Sequence, residues 1–422
     1  MGTIDCLVVS DRVLVLDGSG PWLLGPAGRE GVDLVLEAAV RPRCVRVART
    51  QDGIEMRDLD GEPLHLRGAR RTRLVVGVND TVAIGRSQVL VASLARAGTV
   101  RWQDMLATAP GSLRQLADIA RAAGSRAPVF IAGESGTGKE LAARAVHEAG
   151  ERQGRPFIAL NCAALPETLA ESELFGVERG AYTGATRTRA GAFAQAQGGT
   201  LFLDEIGELS PMIQAKLLRT LESGEVQPVG GARAVKLDVR IVAASWRDLD
   251  LEAEAGRFRH DLLHRLCVLR VDLLPLRERP EDVLPLLEDL LRRHDAIDLM
   301  PDPVTAWRLR QAPWRGNVRE LRNGVQRAVA SRDPQDLLPR ERIRVAIEAL
   351  PLRSSEHRSR EIIAATLRHY RGNRRRTATA LGVSRSTFYR WMHQLEDAGA
   401  TPTHVGPWAN ADGVPHGIDV AT

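Results

Sequence analysis

The run Ala127–Ala132 is apolar, and the eight residues after it read Gly133-Glu134-Ser135-Gly136-Thr137-Gly138-Lys139-Glu140. Glu140–His147 then has helical patterning. A strand that empties into a glycine-rich turn and a helix leaves few folds open. Backbone N–H groups of the turn and of the first helical turn converge on one point, which favours an anion there. The pattern therefore predicts a phosphate-binding loop at the carboxyl end of a strand in an α/β sheet. Lys139 supplies the charge. It is one of three lysines in the chain, with Lys216 and Lys236, among 58 basic residues. A planar guanidinium does not replace a compact ammonium packed among phosphates.

From Ser112 to about Asp272 helical patterns alternate with apolar strands, as in a parallel sheet. One of those strands, Gly199-Thr200-Leu201-Phe202-Leu203-Asp204-Glu205, ends in two acids. Between it and the glycine-rich loop lies the hexapeptide Gly180-Ala181-Tyr182-Thr183-Gly184-Ala185. Beyond Pro275 the pattern turns helical, through Glu281–His294, Pro303–Gln311 and Val318–Ala330.

These three segments together resemble the central domain of the bacterial enhancer-binding proteins, AAA+ ATPases that activate sigma-54 RNA polymerase. The resemblance runs from about Ser112 to Leu350. It implies ATP and Mg²⁺ as cofactors, with Gly133, Glu134, Ser135, Gly136, Thr137, Gly138, Lys139, Glu140, Asp204 and Arg319 on the nucleotide. By it, Asp204 holds the Mg²⁺–water shell, Glu205 orients the attacking water, and Asn161 swings Glu205 in and out of line. Arg265 and its companion Arg259, in Phe258-Arg259-His260-Asp261-Leu262-Leu263-His264-Arg265, reach a neighbouring subunit's nucleotide, which implies a homo-oligomeric ring (dimer to hexamer), with a hexamer as the expected ring. From spacing alone, both arginines also fit structural pairs with Asp261 or Glu254. The hexapeptide, usually with Phe in place of Tyr182, is the family's sigma-54 contact. Glu140 stands where other phosphate-binding loops carry Ser or Thr, a Gly-Lys-Glu ending this family shares. Two departures bear on coupling: Trp246 replaces an Asn after Ser245, and Pro228 replaces an Arg near Gly230-Gly231.

The stretch Gly372-Asn373-Arg374 to Arg390 resembles the Fis-type helix-turn-helix that closes many such activators. It implies enhancer DNA as partner, with Arg385, Ser386, Thr387 and Arg390 facing bases and Arg374 and Arg375 on phosphates. Ala378, Leu381, Val383, Phe388 and Met392 are spaced to share one small core. Residues 1–95 are short Val- and Leu-rich runs broken by Gly, Pro and Asp, the pattern of an all-β sandwich. The run Leu74–Arg86 resembles the last strands of a forkhead-associated (FHA) domain. Its phosphothreonine-reading positions fall here on Pro26, Arg41 and Cys44, so the resemblance implies the fold and a site for a regulatory protein rather than phosphothreonine binding.

The expected organisation is thus multidomain: an FHA-like β-sandwich at 1–95, a linker at 96–111, an α/β AAA+ domain with helical lid at 112–350, an all-α helix-turn-helix at 351–397, and a disordered tail at 398–422. A charge of +5 is too small for a general polyanion binder. The four cysteines share no metal-ligand spacing, and no apolar run reaches the roughly 18 residues that span a bilayer. These features predict a cytoplasmic protein with no membrane partner. An ATP-driven activator is the leading reading; a DNA-binding repressor with a vestigial or slow ATPase is the alternative.

Overall fold

The computed structural model describes residues 4–9, 12–16, 20–26, 32–36, 44–50, 53–67, 69–85, 87–94, 99–181, 187–339, 363–364, 366–368, 370, 372–381, 383 and 388–392. They fall into two compact units that divide after Leu274.

The first unit opens with strands β1 Ile4–Val9, β2 Arg12–Val15, β3 Trp22–Gly25, β4 Leu34–Val35, β5 Val45–Thr50 and β6 Gly53–Asp58. It continues with β7 Leu64–Leu66, β8 Ala69–Arg71, β9 Arg73–Val76, β10 Thr81–Ile84 and β11 Ser87–Leu94. Two more follow, β12 Val100–Trp102 and β13 Met105–Ala107. One sheet runs β13-β12-β11-β10-β7-β8, with β1 along β11 and β2 beside β1; the other runs β4-β3-β5-β6-β9. Residues 100–107, expected as linker, are therefore a hairpin that extends the first sheet. Its strands are three residues long, too short to register as periodic. Gln103, at φ 51°, makes its turn and donates its backbone N–H to Asn79 Oδ1 at 2.7 Å.

The first sheet is apolar on both faces. Leu7, Val9, Val89 and Val91 point into the core shared with the second sheet. Their neighbours Cys6, Val8, Leu90 and Ala92, with Trp102, point the other way. Such a sheet needs cover on each side. Helix α1, Pro110–Ala123, provides it: nine of its fourteen residues are buried, so it is packed from more than one direction. Leu113, Leu116, Ile119 and Ala120 share a cluster with those sheet residues and with Val129, Val146 and Val242 of the α/β layer. Arg240, also buried, donates to the carbonyls of Ala122 and Ala123 at 2.6 and 3.3 Å. A cation thus closes the carboxyl end of α1.

The α/β layer comprises β14 Val129–Ala132, α2 Lys139–Glu148, β15 Phe157–Asn161, α3 Glu167–Phe175, α4 Ala192–Gln195 and β16 Thr200–Asp204. After these come α5 Pro211–Ser223, the hairpin β17 Glu225–Val226 and β18 Val235–Lys236, then β19 Arg240–Ser245, α6 Leu249–Glu254, α7 His260–Leu266 and β20 Leu269–Asp272. Five parallel strands are ordered β15-β16-β19-β14-β20. Their carboxyl ends form one rim, where ligands of open α/β sheets bind.

The second unit holds α8 Val283–Arg293, α9 Pro303–Gln311, α10 Asn317–Ser331 and α11 Arg374–Ala380. Leu276, Leu287, Leu291, Leu309, Trp314, Leu321 and Val325 make its main core. Ala378, Leu381, Phe388 and Met392 are buried together, with Val383 packed on them. Residues 340–362 and the expected tail at 398–422 lie outside the described residues.

Candidate functional site

Site residues meet on the rim because parallel pairing aligns strand ends. Asn161 pairs with Asp204, and Ala132 with Ser245. Gly133 follows Ala132, and its N–H donates to the Ser245 carbonyl at 3.3 Å. The loop then turns through Gly138, whose φ of 108° suits glycine and whose missing Cβ faces open space. Gly138 precedes α2 with no side-chain cap, so the first N–H groups of that ten-residue helix have no capping side chain.

Lys139 is 7 % exposed at its side chain, so its charge is held almost entirely by protein oxygens. Its Nζ donates to the carbonyls of Gly133 and Glu134 at 3.0 and 3.4 Å, and lies 3.2 Å from Glu205 Oε1. The other Glu205 oxygen accepts the Trp246 backbone N–H at 3.1 Å. Glu205 itself sits at φ 54°, ψ 49°, a left-handed conformation unusual for a residue with a side chain. Asp204 accepts the Glu205 N–H at 3.1 Å. Burial, and then the charge of Glu205, hold the Asp204 carboxyl above its ordinary value, against the opposing pull of Lys139. Cys162 beside them is pushed up to about 12 by burial, so it is an inert thiol here.

Asn161 makes no hydrogen bond to Glu205. Its Oδ1 accepts the N–H groups of Ala163 and Ala164 at 2.9 and 3.3 Å, capping the short turn 162–164. Arg259 and Arg265 are both exposed on the surface. Arg259 forms a two-point pair with Asp261, at 3.0 and 2.7 Å, the structural pairing that spacing also allowed. Arg265 donates to the Leu221 carbonyl at 3.0 Å. One residue that the sequence reading missed is Gln214 of α5. It is fully buried, accepts the Arg259 backbone N–H at 2.9 Å, and donates to the carbonyls of Leu209 and Arg257. An amide among the apolar positions of that helix was the available signal.

The hexapeptide is described only at Gly180 and Ala181; Tyr182, Thr183, Gly184 and Ala185 lie outside the described residues. Its base is well fixed. Val177 bridges Arg189 across the loop and Val229 beside it, and the Glu178 N–H donates to the Val229 carbonyl at 3.0 Å. Gly191 packs so closely on Gly176 that a Cβ would lie 2.3 Å from the Gly176 nitrogen. The loop 227–234, including Pro228, is thereby seated against the hexapeptide's stem.

In the second unit, buried Trp314 donates its Nε1–H to the Leu309 carbonyl at 2.8 Å, and Asn317 Oδ1 accepts the Leu276 N–H at 2.7 Å. These contacts anchor the first turn of α10, from which Arg319 projects to the surface. Arg374 and Arg375 of α11 are exposed, Arg390 beyond that helix is exposed too, and the Arg374 guanidinium lies 5.5 Å from the centre of the Tyr389 ring. Arg385, Ser386 and Thr387 lie outside the described residues. Among the described residues no cluster of three or more His, Cys, Asp or Glu side chains could enclose a metal ion, and no helix is long and apolar enough to cross a membrane.

Comparison with known proteins follows this layout. The Sigma-54 interaction domain matches residues 105–272, the AAA+ ATPase lid domain 277–359, and the Fis family of bacterial regulatory proteins 356–395. The chain is 44 % identical over 297 residues to the transcriptional regulatory protein ZraR of Klebsiella oxytoca, covering 67 % of each chain. It is 42 % identical over 329 residues to the regulatory protein AtoC of Escherichia coli (strain K12), 72 % of this chain and 70 % of that one. A crystal structure of NtrX from Brucella abortus in complex with ATP superposes with a TM-score of 0.52 at 34 % identity, covering 69 % of each chain.

Proposed function

The chain belongs to the sigma-54-dependent transcriptional activators, and from that membership we propose that it binds enhancer DNA, assembles as a ring and remodels sigma-54 RNA polymerase at the cost of ATP. The observation that carries the ATPase reading is the cluster on the rim: Lys139 between two loop carbonyls and Glu205, with Asp204 alongside. The site fits a magnesium nucleotide. An uncapped helix start and a nearly buried ammonium suit polyphosphate, and a carboxylate raised by burial gains from a dication.

When bound, ATP with Mg²⁺ supplies the phosphoanhydride to be broken and the charge that balances its oxygens. Lys139 would hold the β- and γ-phosphate oxygens, exchanging its carbonyl and carboxylate partners for them. Asp204 would hold the metal's water shell, and Glu205 would orient the attacking water. Negative charge spreads over the phosphoryl group during transfer, and a cation supplied from the same chain or from a neighbouring subunit stabilises it. Arg265 and Arg259, both exposed, are our candidates for that role in a ring. For Arg259 this means leaving Asp261, an exchange between two exposed partners that costs little.

The fixed stem of the hexapeptide suits a loop that carries force to sigma-54. Open-complex formation by the full chain with sigma-54 polymerase and ATP is the test. Thr183→Ala should keep ATP hydrolysis and lose promoter opening. Opening by that variant would refute the loop's assignment, whereas repression without hydrolysis by the unaltered chain would favour the repressor reading.

The β-rich N-terminal region is, in this proposal, FHA-like in fold and regulates by docking rather than by reading phosphothreonine. Pro26 has no donor. Cys44 is buried, and its backbone N–H is already given to Asp60 Oδ2 at 2.7 Å. Arg41 lies outside the described residues. Calorimetric titration of the full chain with phosphothreonine peptides should show no binding; micromolar binding abolished by dephosphorylation would overturn this.

A further inference from the structure

The resemblance assigns control of Glu205 to Asn161, but in this structure the Asn161 oxygen caps the turn 162–164 and Asn161 and Glu205 share no hydrogen bond. Among the described residues the Glu205 carboxylate has two partners, Lys139 on Oε1 and the Trp246 N–H on Oε2. They differ in kind. Lys139 is the group that a polyphosphate would claim, whereas a backbone amide is fixed by its own strand. Trp246 follows Ser245, the buried last residue of β19, which pairs with both β14 and β16.

Arg247 locks this arrangement. Its N–H donates to Ser245 Oγ at 2.9 Å, and its guanidinium pairs with Glu208 at 2.7 Å and reaches Glu252 at 3.7 Å. Glu208 closes the turn that begins at Glu205, donating its own N–H to the Glu205 carbonyl at 3.0 Å. Arg247 therefore ties the turn carrying the carboxylate to the loop carrying its amide donor. Trp246 is 55 % exposed, and the centre of its ring lies 5.5 Å from that guanidinium.

We propose that the Trp246 backbone N–H is the fixed point on which the Glu205 carboxylate is positioned, and that Arg247 is the positioning residue that sets its place. This rests on the ATPase reading above. When phosphate oxygens take Lys139, Glu205 keeps Oε2 on the Trp246 amide and turns the freed Oε1 toward the attacking water. The left-handed backbone of Glu205 is what brings its carboxylate back over the end of β19. A side chain at position 246 is thus dispensable, but its N–H is not.

Steady-state ATP hydrolysis by the full chain, with fluorescent-nucleotide titration beside it, tests the idea. Trp246→Pro removes the N–H and should lower kcat about tenfold or more relative to Trp246→Phe, which keeps it, with nucleotide affinity kept, as expected for losing one hydrogen bond to a charged group. Should the proline variant fail to fold, the Arg247 series decides. Arg247→Ala should lower kcat with affinity kept, and Arg247→Lys should restore part of the loss. Unchanged kcat in the Arg247→Ala variant, or loss of affinity with kcat kept, overturns the proposal while leaving the ATPase reading intact. An unaltered chain that binds ATP and never hydrolyses it defeats the ATPase reading and this inference with it.

Discussion

Replacing Trp102 by alanine tests whether the β-sandwich and the ATPase layer share one core. Trp102 is fully buried on the outer face of the first sheet, in the cluster that contains Leu113 and Leu116 of α1 and Val129 and Val146 of the α/β layer. Removing an indole from such a place costs about 3–5 kcal/mol, transfer and cavity together. For a unit of this size that is a fall of roughly 6–20 °C in Tm. Trp102→Phe should behave differently. The Trp102 Nε1–H has no hydrogen-bond partner, so phenylalanine removes a buried unsatisfied donor, a relief of roughly 1–3 kcal/mol set against its lost volume. The phenylalanine variant should therefore lie close to the parent. Differential scanning calorimetry of the full chain gives the Tm, and nucleotide binding during the ramp reports the ATPase layer. Cys6 provides a local probe: it faces the same seam, and its thiol is pushed up to about 12, chiefly by burial. Trp102→Ala should lower the ATPase transition and speed thiol modification of Cys6 in a chain whose other cysteines are replaced. The reasoning fails if the alanine variant lowers a separate sandwich transition and leaves nucleotide binding at its original melting temperature.

Other outcomes follow from the rim and from the DNA-reading end. Glu205→Ala should bind ATP and lose turnover, while Lys139→Ala should bind it weakly; normal hydrolysis by the Glu205 variant would remove that residue from its role. Burial raises the Asp204 carboxyl above its ordinary value, so its contribution to stability is present below that ordinary value and lost as pH rises through the raised one. Asp204→Asn should therefore raise the Tm of the nucleotide-free protein at neutral pH, by an amount that fades on acidification through the carboxylate range, and should abolish Mg²⁺-dependent hydrolysis; a Tm gain independent of pH would contradict this. Arg385→Ala should weaken specific enhancer binding by about 1–3 kcal/mol if it reads a base edge. Uniform weakening on all DNA, seen by titration against specific and random duplexes, would make it a phosphate contact.

The phosphate-binding loop and the acid pair were legible in the chain because their signals are local. A strand, a glycine-rich turn and a helix follow one another within about 20 residues, and the strand ends carry their own chemistry. The helices of the lid were legible for the same reason, since a 3.6-residue period needs no distant partner. What only the tertiary structure decided is everything that parallel pairing brings together. The order β15-β16-β19-β14-β20 sets Asn161 beside Asp204 and carries Trp246 to Glu205, residues 41 apart in the chain. Those neighbours come from pairings with no short-range signature. In the N-terminal region, the short Val- and Leu-rich runs predicted the strands of a sandwich but not what covers them. That α1 is the cover, and that residues 100–107 complete the sheet it covers, depended on three-residue strands whose apolar side chains acquire meaning only when Trp102 and Leu113 meet in one core. Local hydrogen bonding and periodicity are written residue by residue, whereas burial belongs to surfaces that exist only after the chain has closed on itself.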